Sequence, residues 1–163
     1  NNFNNLKYKE DDSGINRLQL YRAKINEDGE WGDIHSVHFN SEEYSVAHPT
    51  LNLEGSRLYF ASDMPGTFGQ SDIFVVDVND DGTLGKPENL GPSINTEGQE
   101  TFPFVNTSGD LYYSTNGFPG LGGLDVFKSE GLDKKISQGS SRNFPIENIG
   151  KPVNSAADDF RSV

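Results

Sequence analysis

The chain has 163 residues, with 25 Asp and Glu against 13 Lys and Arg and a net charge of −12. A surface of that sign repels nucleic-acid phosphates and anionic lipid, so neither nucleic-acid binding nor direct membrane insertion is expected. The absence of cysteine excludes disulfides, thiolate metal sites and a cysteine nucleophile.

Hydrophobic content is only 33%, yet 11 Phe, 6 Tyr and one Trp supply large groups for a core, and 18 Gly and 8 Pro supply turns. That balance suits short strands closely connected. No stretch sustains an apolar pattern at helical spacing, so almost no helix is expected.

In chain order, residues 1–17 carry no aromatic-rich strand. The run Leu18–Trp31 (LQLYRAKINEDGEW) then returns as Ser71–Leu84 (SDIFVVDVNDDGTL), and LDVFKS at 124–129 repeats it again. Tyr21, Phe74 and Phe127 thus stand 53 residues apart (74 − 21 and 127 − 74). A second block, HPTLNLEGSRLYFASDMPGTFGQ at 48–70, returns as FPFVNTSGDLYYSTNGFPGLGG at 102–123. A third, PENLGPSINTEG at 87–98, returns as PIENIGKPVNSA at 145–156.

Each repeat predicts four short antiparallel strands: HPTL or FPFV, LYFAS or LYYST, DIFVV or DVFKS, and the segment near NLG or NIG. Asp28-Gly29 and Asp81-Gly82 mark tight hairpins. A polar stretch around Lys134 to Asn143 has no counterpart in the second repeat and is expected to be a mobile rim loop.

A lone four-stranded sheet has two faces to bury, and radial stacking of such sheets as a β-propeller buries both. A β-sandwich would explain short strands but not the period. The expected fold is all-β: a partial propeller of about three four-stranded blades, part of a six- to eight-bladed whole. It divides as a partial blade at 1–46, blades at 47–100 and 101–157, and the start of another at 158–163. Both ends are expected to fall inside blades, as in a piece of a longer polypeptide.

The strings HPTLNLEGSRLYFASDMPGTFGQSDIFVVDV, NLGPSINTEGQETFPFV, LYYSTNGFPGLGGLDVF and NIGKPVNSAADDF resemble the WD-like, TolB-type propeller repeats of OmpA-family proteins of Bacteroidetes. The resemblance covers roughly residues 16–160. It implies a periplasmic, outer-membrane-associated, non-enzymatic scaffold, similar to the propeller component of the type IX secretion machinery. Its implied partners are other envelope or secretion-system proteins, with peptidoglycan reached only through a domain outside this chain. The family's Gly-x-Trp-like opening of the fourth strand is met by Trp31, but position 84 is Leu and the third copy has the polar insertion.

Among candidate sites, Asp77, Asn79, Asp81-Gly82 and Glu88 match a calcium-loop pattern. The loop follows a strand, Pro87 precedes Glu88, and Lys24 replaces the first ligand in the first copy, so a hairpin turn is the favoured reading. Asp72 and Asp125 precede the third strand in two copies. They are expected to accept backbone N–H groups and order their loops, the alternative being a ring of carboxylates around a channel. His35, His38 and His48 have no metal-binding spacing, and no nucleophile elbow or phosphate cradle is present, so no catalytic residue, metal or cofactor is assigned. Met64, Phe68, Phe118 and Leu121, on loops 63–71 and 116–124, are the candidate partner anchors. Their alternative role is to tuck over the core edge. The competing function is a glycan-processing or glycan-binding propeller using Asp63, Asp72 and Asp125.

Overall fold

The computed structural model describes residues 14–139 and 143–160, together with the backbone of a short hairpin, β1 (Phe3–Asn4) and β2 (Lys7–Tyr8). The expected blade start at 158–163 therefore lies partly outside the described residues. The described fold is all-β apart from one short helix.

The first copy supplies a two-stranded sheet, β3 (Tyr21–Ile25) paired with β4 (Trp31–Ser36). The second forms a four-stranded antiparallel meander of β5 (Val46–Leu51), β6 (Arg57–Ser62), β7 (Asp72–Asp77) and β8 (Glu88–Asn89). The third repeats it with β9 (Glu100–Val105), β10 (Leu111–Thr115), β11 (Asp125–Ser129) and β12 (Glu147–Asn148).

The repeated turn chemistry has repeated conformations. Gly29 and Gly82, the second residues of the two Asp-Gly pairs, have φ of 80° and 75°, a region costly for any residue with a Cβ. Less expected are His48 at 53° and Phe102 at 49°, each just before a proline. Left-handed backbone is uncommon for such residues. Both sit where the register slips between the first and second strands of their sheets. Each following proline lies on a sheet edge, where a missing N–H is tolerated.

The central sheet is apolar on both faces because consecutive side chains of a strand point opposite ways. Leu58, Phe60, Phe74 and Val76 face the first copy and join Val37, Phe39 and Val46 in one cluster. Phe60 lies between Phe39 and Phe74, with ring centroids 5.0 and 5.8 Å away. Tyr59, Ala61, Ile73 and Val75 face the third copy and pack with Val105, Leu111, Tyr113 and Phe127. Burying a large apolar side chain fully contributes about 1.5–3 kcal/mol, so these two clusters hold the three sheets in one stack. The edge strands β5 and β9 adjoin.

One expectation is corrected. The insertion after β11 opens with α1 (Leu132–Ser137) instead of a loop, while residues 140–142 lie outside the described set. Leu132 is fully buried, and Ile136, one helical turn on, packs against the core. Asp133 reaches back to the central sheet: its carboxylate accepts from Asn52 Nδ2 (3.2 Å), Arg57 Nη1 (3.1 Å) and Tyr59 Oη (2.6 Å). Burial, reinforced by the bond to Asp133, pushes the Tyr59 hydroxyl pKa far up, so it stays a donor.

Candidate functional site

The side chains that recur between copies do the same structural work in each. An asparagine, buried in the second and third copies and half-buried in the first, clamps the third strand of every copy by a two-way amide bond. Asn40 pairs with the backbone of Leu20, Asn95 with Ile73 and Asn154 with Val126, each accepting the N–H and donating to the C=O at 2.6–2.9 Å. Asn95 and Asn154 also donate to Asn89 and Asn148, which in turn accept the N–H of Gly91 and Gly150. Such an amide imitates one more strand residue and satisfies buried backbone groups beyond the short fourth strand.

The carboxylates follow the same logic. Asp72 and Asp125 are almost wholly buried. Asp72 Oδ2 accepts the Phe68 N–H at 2.9 Å and Asn89 Nδ2 at 2.6 Å. Asp125 Oδ2 accepts the N–H groups of Leu121 (2.8 Å) and Gly122 (3.1 Å). The expected loop-ordering role is what the structure shows.

Glu100 is completely buried and accepts Thr96 N–H, Thr96 Oγ1 and Thr115 Oγ1 at 2.5–2.8 Å. Burial pushes its carboxyl above the ordinary range, against the pull of those bonds. Asp159 repeats the arrangement with Ser155 N–H (2.6 Å) and Oγ (3.0 Å). These acids close the start of one copy onto the end of the previous one.

Two of the calcium-like residues, Asn79 and Asp81, brace the hairpin. Asp81 accepts Thr83 N–H and Oγ1, Asn79 donates to Thr83 Oγ1, and Asp77 pairs with Arg57 at 3.4 Å. Glu88 sits in β8 opposite Val75. Among the described residues no three His, Asp or Glu side chains gather as metal ligands would.

His48 is half-buried, as expected for a strand residue before Pro49, and burial lowers its pKa. Its ring stacks on Phe102 at 4.0 Å, and Phe102 stacks on Phe160 at 5.1 Å. Asp63 is held by Ser45 N–H and Arg17. His35 is exposed and bonded to Asp33.

The four proposed anchors divide evenly. Met64 is buried in the cluster between the first and second copies, so it is corrected from anchor to core. Phe118 is half-buried against Phe127, with ring centroids 5.5 Å apart, and is likewise part of the packing. Phe68 and Leu121 remain exposed, at 52% and 48%. They are repeat equivalents, 53 residues apart (121 − 68).

No protein-family model matches this chain, and no curated protein matches it.

Phe68 and Leu121 form a rigid pair. Their own N–H groups are the ones held by Asp72 and Asp125. The glycine after each lies tight against the next segment: a Cβ on Gly69 would meet the Glu97 carbonyl carbon at 2.4 Å, and one on Gly122 would meet Ala157 O at 2.2 Å. Only a residue without a side chain fits there. Both loops are thereby fixed on the body while their apolar tips face water. Sequence reading could not tell the exposed Phe68 and Leu121 from the buried Met64, because all four proposed anchors lie in turn-rich segments.

Proposed function

We propose that this chain is part of a non-catalytic β-propeller scaffold that binds other proteins of the bacterial cell envelope. The observation that carries the reading is the repeated, rigidly held apolar tip, Phe68 in one copy and Leu121 in the next. Exposed apolar groups on pre-ordered loops bind with little ordering cost. Of the three carboxylates of the glycan-processing alternative, Asp72 and Asp125 are buried and hold loop N–H groups, and Asp63 holds Ser45 N–H and Arg17, which favours the scaffold reading. Side-by-side four-stranded meanders joined at their first strands support the propeller. The resemblance to OmpA-family repeats supports a periplasmic, outer-membrane-associated place, and within it a role in type IX secretion.

The test is a pull-down from envelope extract followed by the double variant Phe68→Ala/Leu121→Ala. The partner captured by the native chain is expected to be lost at least about tenfold, the effect of removing one or two interface anchors. The melting temperature should stay within a few degrees, since both side chains are exposed. Capture unchanged by the double variant would refute the assigned surface.

A further inference from the structure

The dipeptide Asn116-Gly117 follows β10 directly, and both residues are exposed. Packing imposes the glycine, because a Cβ there would overlap the Thr96 side chain. Three hydrogen bonds bear on the pair. Gly117 donates its N–H to Thr115 Oγ1 at 2.9 Å. The Thr115 hydroxyl in turn donates to Glu100 Oε1 at 2.5 Å, and both of these side chains are wholly buried. On the other side, Asn116 Oδ1 accepts the N–H of Gln99 at 2.8 Å. The second copy keeps this frame with different chemistry. Met64 donates its N–H to Ser62 Oγ at 3.1 Å, but that hydroxyl donates to a backbone carbonyl, Ser45 O, at 2.6 Å. Position 63, 53 residues before Asn116 (116 − 63), is already an acid, and Asp63 Oδ1 accepts the Ser45 N–H at 2.6 Å.

We infer that Asn116-Gly117 is a self-modifying site, at which the asparagine side chain cyclises onto the glycine nitrogen and is then hydrolysed to an acid. The Gly117 N–H proton passes to the Thr115 hydroxyl while the hydroxyl's own proton passes to the Glu100 carboxylate. The Gly117 nitrogen bonds to Asn116 Cγ, with no side chain of its own to crowd the approach. Negative charge develops on Oδ1, where the Gln99 N–H already points. Collapse breaks the Cγ–Nδ2 bond, the proton held by Glu100 returns to Nδ2 through Thr115 and solvent, and ammonia leaves. Water then opens the cyclic imide at either carbonyl, giving aspartate or isoaspartate. Burial, with the Asp72 charge adding to it, pushes the Glu100 carboxyl up and makes it a stronger base than a solvated one. An aspartate at 116 can keep the bond to Gln99, as Asp63 keeps that to Ser45. Isoaspartate lengthens the main chain at the root of the loop that carries Leu121.

This inference is independent of the envelope role. Its test is incubation of the chain at neutral pH, folded and unfolded in guanidinium chloride, followed by peptide mass mapping over time. Conversion of Asn116 is expected to be at least about tenfold faster in the folded chain, within what a positioned base and an oxyanion donor supply. Thr115→Val removes the relay hydroxyl and should bring the folded rate down to the unfolded one. Thr115→Ser keeps the hydroxyl and should stay within about threefold of native. Glu100→Gln, which keeps the shape but not the base, should slow conversion as Thr115→Val does. Circular dichroism shows which variants are folded. With rising pH the folded rate should level off once Glu100 is ionised, whereas the unfolded rate keeps climbing with hydroxide. The two pH profiles on the native chain decide the matter if the variants do not fold. Absence of conversion, a folded rate no greater than the unfolded one, a folded rate that climbs with hydroxide in step with it, or a folded Thr115→Val protein unchanged in rate would each overturn the inference.

Discussion

Replacing Asp133 with alanine is expected to lower the unfolding free energy by about 3–5 kcal/mol, the range for removing one partner from a buried ion pair. The side chains of Asp133 and Arg57 are only 7% and 15% exposed. Truncation would leave Arg57, the Tyr59 hydroxyl and the Asn52 amide buried around an empty space, each having lost an acceptor. The effect should exceed that of a mere helix substitution, because Asp133 belongs to the insertion of the third copy while its three partners belong to the second. Asp133→Asn keeps an acceptor for Tyr59 but removes the charge facing Arg57, and should fall between native and alanine forms. Denaturant unfolding of the three proteins measures the order, and a loss under about 1 kcal/mol for alanine would show the latch to be unimportant.

Asn95→Ala is the second large loss, about 2–4 kcal/mol. The asparagine is 2% exposed and is the partner of both backbone groups of Ile73. Without it the buried Ile73 N–H is left unpaired, at about 1–3 kcal/mol. The Ile73 carbonyl keeps the Leu90 N–H at 3.2 Å but loses one of its two donors, at about 0.5–1.5 kcal/mol. Asn95→Asp should be no milder: a carboxylate accepts the N–H but repels the Ile73 carbonyl and the Asn89 oxygen, to which Asn95 Nδ2 now donates at 2.8 Å. The matching Asn40→Ala change should cost less, since Asn40 is only partly buried. Chemical denaturation monitored by circular dichroism distinguishes these outcomes, and equal losses at positions 40 and 95 would contradict the burial argument.

The strands, their order within each copy and the Asp-Gly turns were legible in the sequence because alternation, aromatic content and positive-φ glycine are local signals. The loop-ordering roles of Asp72 and Asp125 were legible too, since repetition argued for structure. The short helix was not. Its six residues hold only one apolar pair at helical spacing, Leu132 and Ile136, and its anchor Asp133 acts on residues 74–81 positions away. The asparagine clamps escaped for a similar reason. Asn95 and Asn154 align in the third block, each six residues after Asn89 and Asn148, but no local signal ties them to strand residues 22 and 28 positions earlier, and Asn40 stands outside that block. Burial separated the four loop residues: Phe68 and Leu121 share a register and face water, whereas Met64 and Phe118 fill gaps beneath.

The central claim is that the repeated sheets fan out from a common axis with their first strands innermost. Spin-label distances on the chain itself test it. One pair sits on exposed residues of the first strands, Leu51 and Phe104, and one on exposed residues of the last, Glu88 and Glu147. In a fan of six to eight blades, four strands spaced about 4.8 Å apart should separate the outer pair by roughly 10 Å more than the inner pair. Equal separations for the two pairs, as in flat sheets stacked face to face, would contradict the account.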